Sequence, residues 1–216
     1  MHLYPSLAAA PLDRLGETLH QLEQAGVDGL HFDIEDGSFV RVMTLGTKLI
    51  SDLRPLTRLP FDVHLMMVNP EWILPELAHA GVQRLSVHYE ACPYPRRVLR
   101  AIHDLGVQPG LAFNPTTPIP DLAYLSPYLS FVLVLTTEPE IPDPVFLPRV
   151  LDRVREHRGR AGTEGLEWVV DGGLNVDNLA EAVRAGADSA VVGRAFFRDA
   201  DIAASARRLR EVAQSA

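Results

Sequence analysis

The chain has 216 residues, enough for one domain with a large core, and its 47% hydrophobic content is ordinary for a globular protein. Twenty Lys and Arg against 28 Asp and Glu give a net charge of −8 without a basic run, which argues against nucleic acid as the partner. A single cysteine, Cys92, excludes an internal disulfide and does not point to secretion. The start, MHLYPSLAAAPLDRL, makes a poor signal peptide, and no stretch approaches the roughly 18 apolar residues of a membrane span. A cytoplasmic protein with no membrane partner is therefore expected, with Cys92 as a plain buried or half-buried thiol rather than a reactive one.

Eight short apolar runs read as strands. In chain order they are LYPS near residue 3, GLHFDIED from 29, PFDVHLMM from 60, RLSVHYE from 84, QPGLAFN from 108, FVLVLTT from 131, LEWVVDG from 166 and SAVVGR from 189. Helical segments follow most of them: PLDRLGETLHQLEQAG, PEWILPELAHAG, PRRVLRAIHDLG, PVFLPRVLDRVREHRG, NVDNLAEAVRAG and DIAASARRLREVA. Their apolar residues recur at three- and four-residue steps, and several end in glycine (Gly26, Gly81, Gly106, Gly186). The segments after strands two and five are short. Four near-repeats, EQAGVDGL, AHAGVQRL, HDLGVQPG and RAGADSAV, mark the same helix-to-strand corner. Alternating β and α units imply a parallel sheet, and eight of them without a linker predict one (β/α)8 TIM barrel over residues 1–216. An open doubly wound sheet is the alternative.

In a barrel of this kind the active site lies at the C-terminal ends of the strands. His31 and Asp33, His64, and Asp171 all fall in the last halves of their strands. Side chains alternate along a strand, so His31, Asp33 and Glu35 share one face, and Asp62, His64 and Met66 another. If those faces line the barrel, two imidazoles and two carboxylates meet at its mouth. They can close around one divalent metal ion, with mixed ligation that suits Zn²⁺ first and also Fe²⁺, Mn²⁺ or Co²⁺. They can equally place a carboxylate on each side of a bound molecule. A lone strand histidine is more often a hydrogen-bonded core or rim residue, and His88 and His103 are assigned there.

These motifs, in this order, resemble the ribulose-phosphate 3-epimerase family nearly end to end. PSLAAAPLDRLG is similar to its first strand and helix, and HFDIEDGSFV to its His-x-Asp-x-x-Asp-Gly-x-Phe-Val segment. DVHLMM, SVHYEA, LAFNPTTP, VVDGGLNVDNLAEAVRAGAD and VVGRAFF match further blocks. The resemblance implies a barrel enzyme of the isomerase class, one catalytic divalent metal, a phosphorylated ketose as small-molecule substrate, and a homo-oligomer. It makes His31, Asp33, His64 and Asp171 the metal ligands, and Asp33 and Asp171 also the catalytic proton carriers. Met66 matches part of a methionine cluster around the reacting carbons, and Gly172, Gly173 and Gly193 match parts of the phosphate grip.

The departures from that pattern concern the substrate. Ala9 stands for a polar residue, Pro11 for an Asp, Glu35 and Leu135 for methionines, and Arg41-Val42 for Pro-Asn. TTEPEIPDPVF replaces a glycine-rich loop that covers the substrate and donates backbone N–H groups to phosphate. Its Pro139, Pro142 and Pro144 cannot donate, and Glu138, Glu140 and Asp143 repel a dianion. Arg194 replaces a small hydroxyl residue after Gly193. It is read either as a bidentate contact to phosphate or carboxylate or as a solvated rim residue. Glu35 has three open roles: binding a substrate hydroxyl, pairing with Arg41, or adding a metal ligand.

The first expectation is a metal-dependent epimerase of a phosphorylated ketose. Proton removal and return occur through Asp33 and Asp171, by way of a metal-stabilised enediolate. Other enediolate chemistry, as an isomerase or a carbon–carbon lyase, is the second reading, and a non-catalytic ligand-binding paralogue the third. The intact pair of aspartates speaks against the last.

Overall fold

A computed structural model describes residues 1–139, 145–199 and 201–216. The eight expected strands all form: β1 (His2–Pro5), β2 (Leu30–Glu35), β3 (Phe61–Met66), β4 (Arg84–His88), β5 (Gln108–Phe113), β6 (Phe131–Leu135), β7 (Glu167–Asp171) and β8 (Ser189–Val192). Each pairs in parallel with its neighbour, in the order β1-β8-β7-β6-β5-β4-β3-β2. The two ends meet through a parallel bridge between Ser6 and His31, which brings β1 beside β2 and closes the barrel. The open-sheet alternative is thereby excluded.

The helices are α1 (Leu15–Gln24), α2 (Thr47–Leu53), α3 (Leu74–His79), α4 (Pro95–Asp104), α5 (Leu151–His157), α6 (Leu179–Arg184), α7 (Arg194–Phe197) and α8 (Ile202–Ser215). Between β5 and β6 only a 3-10 turn, Ser126–Tyr128, stands where a full barrel repeat has an α-helix. Pro115, Pro118, Pro120 and Pro127 account for that, since proline removes helix donors and restrains the residue before it. Several expected helices also begin later than their patterns did: α1 follows a 3-10 turn at Leu12–Arg14, and α6 starts at Leu179. PEWILPELAHAG opens with a 3-10 turn at Pro70–Trp72, and α5 follows another at Pro148–Val150. Among the described residues no helix is long and apolar enough to cross a membrane. Cys92 is buried, and that burial pushes its thiol up to about 12, so it is protonated near neutral pH.

Strand alternation divides the core in two. Leu30, Phe32, Ile34, Val63, Leu65, Leu85, Val87, Val132, Val134, Trp168 and Val170 pack with the helices in the main apolar cluster. The opposite strand faces build a smaller cluster of Tyr4, Ala112, Phe131, Leu133, Leu135, Val169 and Val191. Gly110 lacks a side chain for a steric reason: a Cβ there would lie 2.2 Å from the Phe131 ring.

The corresponding faces of β2, β3 and β4 are polar. Below the mouth, Arg84 Nε donates to Asp62 Oδ1 (3.2 Å), and its Nη1 to Glu167 Oε2 (2.7 Å) and Tyr4 Oη (3.1 Å). The guanidinium also lies over the Phe131 ring, 4.3 Å from its centroid. Burial pushes the Tyr4 hydroxyl up to about 12, so it stays neutral. This network ties β1, β3, β4 and β7 together. Arg84→Leu leaves Asp62 and Glu167 without their cation inside the barrel and should destabilise the fold by about 3–5 kcal/mol. Urea unfolding measures this; a loss under about 1 kcal/mol, as for an exposed ion pair, would show the network to be dispensable.

Candidate metal centre and active site

The four residues singled out come together, although His31, as the second residue of β2, lies in the first half of its strand and not in the last. His31, Asp33, His64 and Asp171 each offer a ligand atom, and these atoms all lie within 4.8 Å of one another. In the strand register Asp33 faces His64 across β2 and β3, and Asp171 closes the group from β7. His31 Nε2 stands 3.2 Å from Asp33 Oδ1 and 3.7 Å from Asp171 Oδ2. His64 Nδ1 stands 3.4 Å and 3.6 Å from the same two oxygens. Both imidazoles are fully buried, and both carboxylates are largely so.

The far side of each ring is also engaged. His31 Nδ1 pairs with Asp62 Oδ2 at 2.8 Å. His64 Nε2 lies 2.8 Å from His88 Nε2, and His88 Nδ1 lies 3.0 Å from Glu90 Oε2. The Asn114 backbone N–H donates to the other Glu90 oxygen (2.8 Å). Burial pushes the His88 imidazole down to about 4, which leaves it neutral. Burial alone would raise Glu90, but bonds from His88, Thr117 and Asn114 hold it down to about 2.

The near sides are different. His64 Nδ1 is a buried nitrogen with no hydrogen-bond partner, because the two carboxylates are too long or misaligned to satisfy it. Burial would lower the pKa of His31 and of His64, yet the surrounding carboxylates raise both. Burial would likewise raise Asp33, and the histidines hold it well below the usual carboxylate range. Ser6 Oγ donates to the outer Asp33 oxygen (2.6 Å). Every one of these features favours positive charge at the centre of the group. An orphaned imidazole nitrogen beside two carboxylates is a donor set that fits a divalent ion.

Asp171 is held through its backbone. Thr136 N–H donates to the Asp171 carbonyl (2.7 Å), and the Thr136 hydroxyl to the Gly172 carbonyl (2.7 Å). Gly172 has φ +113°, and a Cβ there would meet Thr137 Cγ2 at 2.2 Å. The chain can therefore turn after Asp171 only with glycine at this position. Gly173, at φ +69°, packs on the Phe146 backbone. Gly193 precedes the single turn of α7 beside Ala9, and Arg194 is exposed on that turn.

Glu35 and Met66 are register partners at the tops of β2 and β3. Glu35 does not join the four-residue group. Its carboxylate takes the Thr44 N–H (2.8 Å) and hydroxyl (3.2 Å), which ties down the loop before α2. Among the described residues it makes no ion pair with Arg41. Burial raises its pKa, with the nearby Asp33 charge adding to the effect. A pocket of about 460 Å³ opens between Phe39 and Val40 on one side and Asn114, Pro115, Thr116, Glu138 and Pro139 on the other. Glu140, Pro142, Asp143 and Pro144 of the altered loop lie outside the described residues. A larger hollow of about 750 Å³ is lined by Tyr94, Arg96, Tyr124 and neighbours, and none of the four clustered residues lines either space.

Sequence reasoning missed four members of this site. Asp62 was placed on the same strand face as His64 but given no role, and Ser6, Glu90 and Thr136 carried no signal of their own. His88 was assigned to the hydrogen-bonded core, and it is there, but its partner is His64. Its place at the last position of β4 was the available clue.

Comparison with known proteins bears on the fold and the family. Solved structures of orotidine 5′-phosphate decarboxylase from Pyrococcus horikoshii OT3 (TM-score 0.69, 16% identity, 98% of this chain and 99% of that one) and of a mutant tryptophan synthase alpha-subunit from Pyrococcus furiosus (TM-score 0.68, 14% identity, 98% and 96%) share the barrel. At the level of sequence, the ribulose-phosphate 3-epimerase of Synechocystis sp. is 39% identical over 197 residues, 89% of this chain and 86% of the relative. Those of Bacillus subtilis and Escherichia coli K12 are 36% and 37% identical over 200 residues, covering 91% of this chain and 92% and 89% of the relatives. The model of the ribulose-phosphate 3 epimerase family matches residues 2–197. The chain belongs to the ribulose-phosphate 3-epimerase family, whose named relatives are isomerases acting on carbohydrates.

Proposed function

We propose that the chain epimerises a phosphorylated ketose at the carbon beside its carbonyl, with Asp33 and Asp171 as the two proton carriers. The convergence of both carboxylates on the same pair of imidazole nitrogens carries this reading. Inverting such a carbon requires a base on one face and an acid on the other, and one fixed side chain cannot serve both. Asp33 and Asp171 come from β2 and β7 on different sides of the mouth, so each can address one face. Ser6 holds Asp33 at one oxygen, and Thr136 holds the Asp171 backbone, so both carriers start from fixed positions. The neighbouring histidines lower the Asp33 pKa and keep it ionised.

His31, Asp33, His64 and Asp171 would hold a divalent ion, Zn²⁺ being the first choice. When bound, it supplies Lewis acidity to the oxygens beside the reacting carbon. Met66 supplies an apolar wall. Gly172, Gly173, Gly193 and Arg194 lie after β7 and β8, where barrels of this type hold phosphate, and are assigned to the substrate's charged end. Glu35, with its carboxylate already engaged by Thr44, is assigned to a substrate hydroxyl near the loop it secures.

Purified protein should contain one divalent ion per chain by elemental analysis. His64→Ala should reduce occupancy sharply; full occupancy in that variant would remove His64 from the ligand set. Asp33→Asn and Asp171→Asn should each abolish epimerisation, while one of them still exchanges the substrate proton with solvent in deuterated water. Near-normal turnover by either variant would end the two-carboxylate mechanism. The altered loop bears on the substrate. Glu138 lines the 460 Å³ pocket beside Phe39 and Asn114, and the adjoining Pro139 offers no N–H to phosphate. D-Ribulose 5-phosphate is therefore expected to be a poor substrate, with kcat/KM below ~10⁴ M⁻¹s⁻¹. Steady-state kinetics against a panel of ketose phosphates checks this, and a higher value would make the loop a neutral variation.

A further inference from the structure

We propose that His88 and Glu90 are positioning residues that fix His64 in the tautomer whose bare Nδ1 faces Asp33 and Asp171. The inference deepens the proposed metal centre, but its first readout does not depend on a metal.

The argument begins at Glu90. One of its oxygens already accepts the Asn114 backbone N–H, and the other lies 3.0 Å from His88 Nδ1. A carboxylate only accepts, so His88 must carry its proton on Nδ1. A neutral imidazole with a proton on Nδ1 has a lone pair on Nε2. That lone pair points at His64 Nε2, 2.8 Å away. Two ring nitrogens at this distance need one proton between them, so His64 supplies it from Nε2. When the His64 ring is neutral, its Nδ1 is then left bare. It is the orphaned buried nitrogen, directed at the two carboxylates.

The opposite assignment fails at the other end of the chain. A proton on His88 Nε2 would put two lone pairs face to face at Glu90. Packing supports the same arrangement. The His88 ring is fully buried, stacks on His64 with centroids 4.9 Å apart, and is covered by Phe39 at 4.5 Å. It therefore has little freedom to turn over.

The two imidazoles reach the same result by different routes. His31 has a carboxylate of its own, Asp62 on β3, and so presents Nε2 to the site. On the far side of His64 the carboxylate lies one residue further out: it is Glu90, beyond the end of β4, reached through His88. His88 spans the gap. Carboxylate partners of this kind set ring orientation and raise ligand basicity, and their loss lowers metal affinity by ~10–100-fold.

The test uses histidine ¹⁵N shifts, first in metal-free protein at alkaline pH and then with stoichiometric Zn²⁺. In the native chain His64 should carry its proton on Nε2 and His31 on Nδ1 in both states. His88→Phe keeps the ring and its stacking but removes the acceptor. It should free the His64 tautomer and weaken Zn²⁺ binding ~10–100-fold in chelator competition, with the fold intact by circular dichroism. His88→Gln, whose amide can accept from His64 and donate to Glu90, should recover most of that affinity. A native His64 with its proton on Nδ1 would overturn the proposal, even if the variant failed to fold. Native tautomer and native Zn²⁺ affinity in His88→Phe would overturn it as well. Correct native shifts in a protein that takes up no Zn²⁺ would support the relay while refuting the metal centre.

Discussion

Two carboxylates held inside one barrel mouth, within reach of the same two imidazoles, require positive charge between them. Asp33 and Asp171 are largely withdrawn from water, so solvent screens their repulsion weakly. The surroundings answer that need from several sides. The imidazoles are pushed toward their charged forms, a serine hydroxyl caps one carboxylate, and a buried ring nitrogen stands without a partner. The same electrostatic demand links the fold to the chemistry. A divalent ion held by the four residues would satisfy it, and in the proposed reaction its charge would favour ionised aspartates.

The fold meets this demand by giving the barrel two interiors. The sector around β5, β6 and β8 is filled by Ala112, Phe131, Leu133, Leu135 and Val191. The sector around β2, β3 and β4 carries His31, Asp33, Asp62, His64, Arg84 and His88. Burying so many polar groups is tolerable only if each has a partner. Asp62 serves twice, taking Arg84 on one oxygen and His31 on the other. The site thus stands on an ionic network one layer below it, and that network reaches Glu167 on β7. Closure of the barrel matters for the same reason, because the Ser6–His31 bridge brings the Ser6 hydroxyl to Asp33.

The strands were legible in the sequence because each is a short apolar run, and four of them begin after a recurring glycine-marked helix corner. The four clustered residues were legible because strand alternation and position at a strand end assign them to one place. The missing helix after β5 was foreshadowed only by a short segment, whose prolines settle it locally. The supporting residues were hidden for a physical reason. Asp62, Ser6 and Thr136 act through hydrogen bonds to groups distant in the chain, and such bonds leave no periodic pattern. His88 was visible as a strand histidine, but its pairing with His64 depends on the register of β3 against β4. Glu35 showed as an inward acid, while its partner Thr44 lies in a loop whose path no pattern fixes.

The claim on which the rest depends is that the four-residue group is a cation site. Anomalous diffraction from crystals grown with Zn²⁺ tests it most directly. The expected result is one ion bonded at ~2.0–2.2 Å to His31 Nε2, His64 Nδ1 and oxygens of Asp33 and Asp171. An ion bound elsewhere, with the four side chains hydrogen-bonded only to one another and to water, would contradict it.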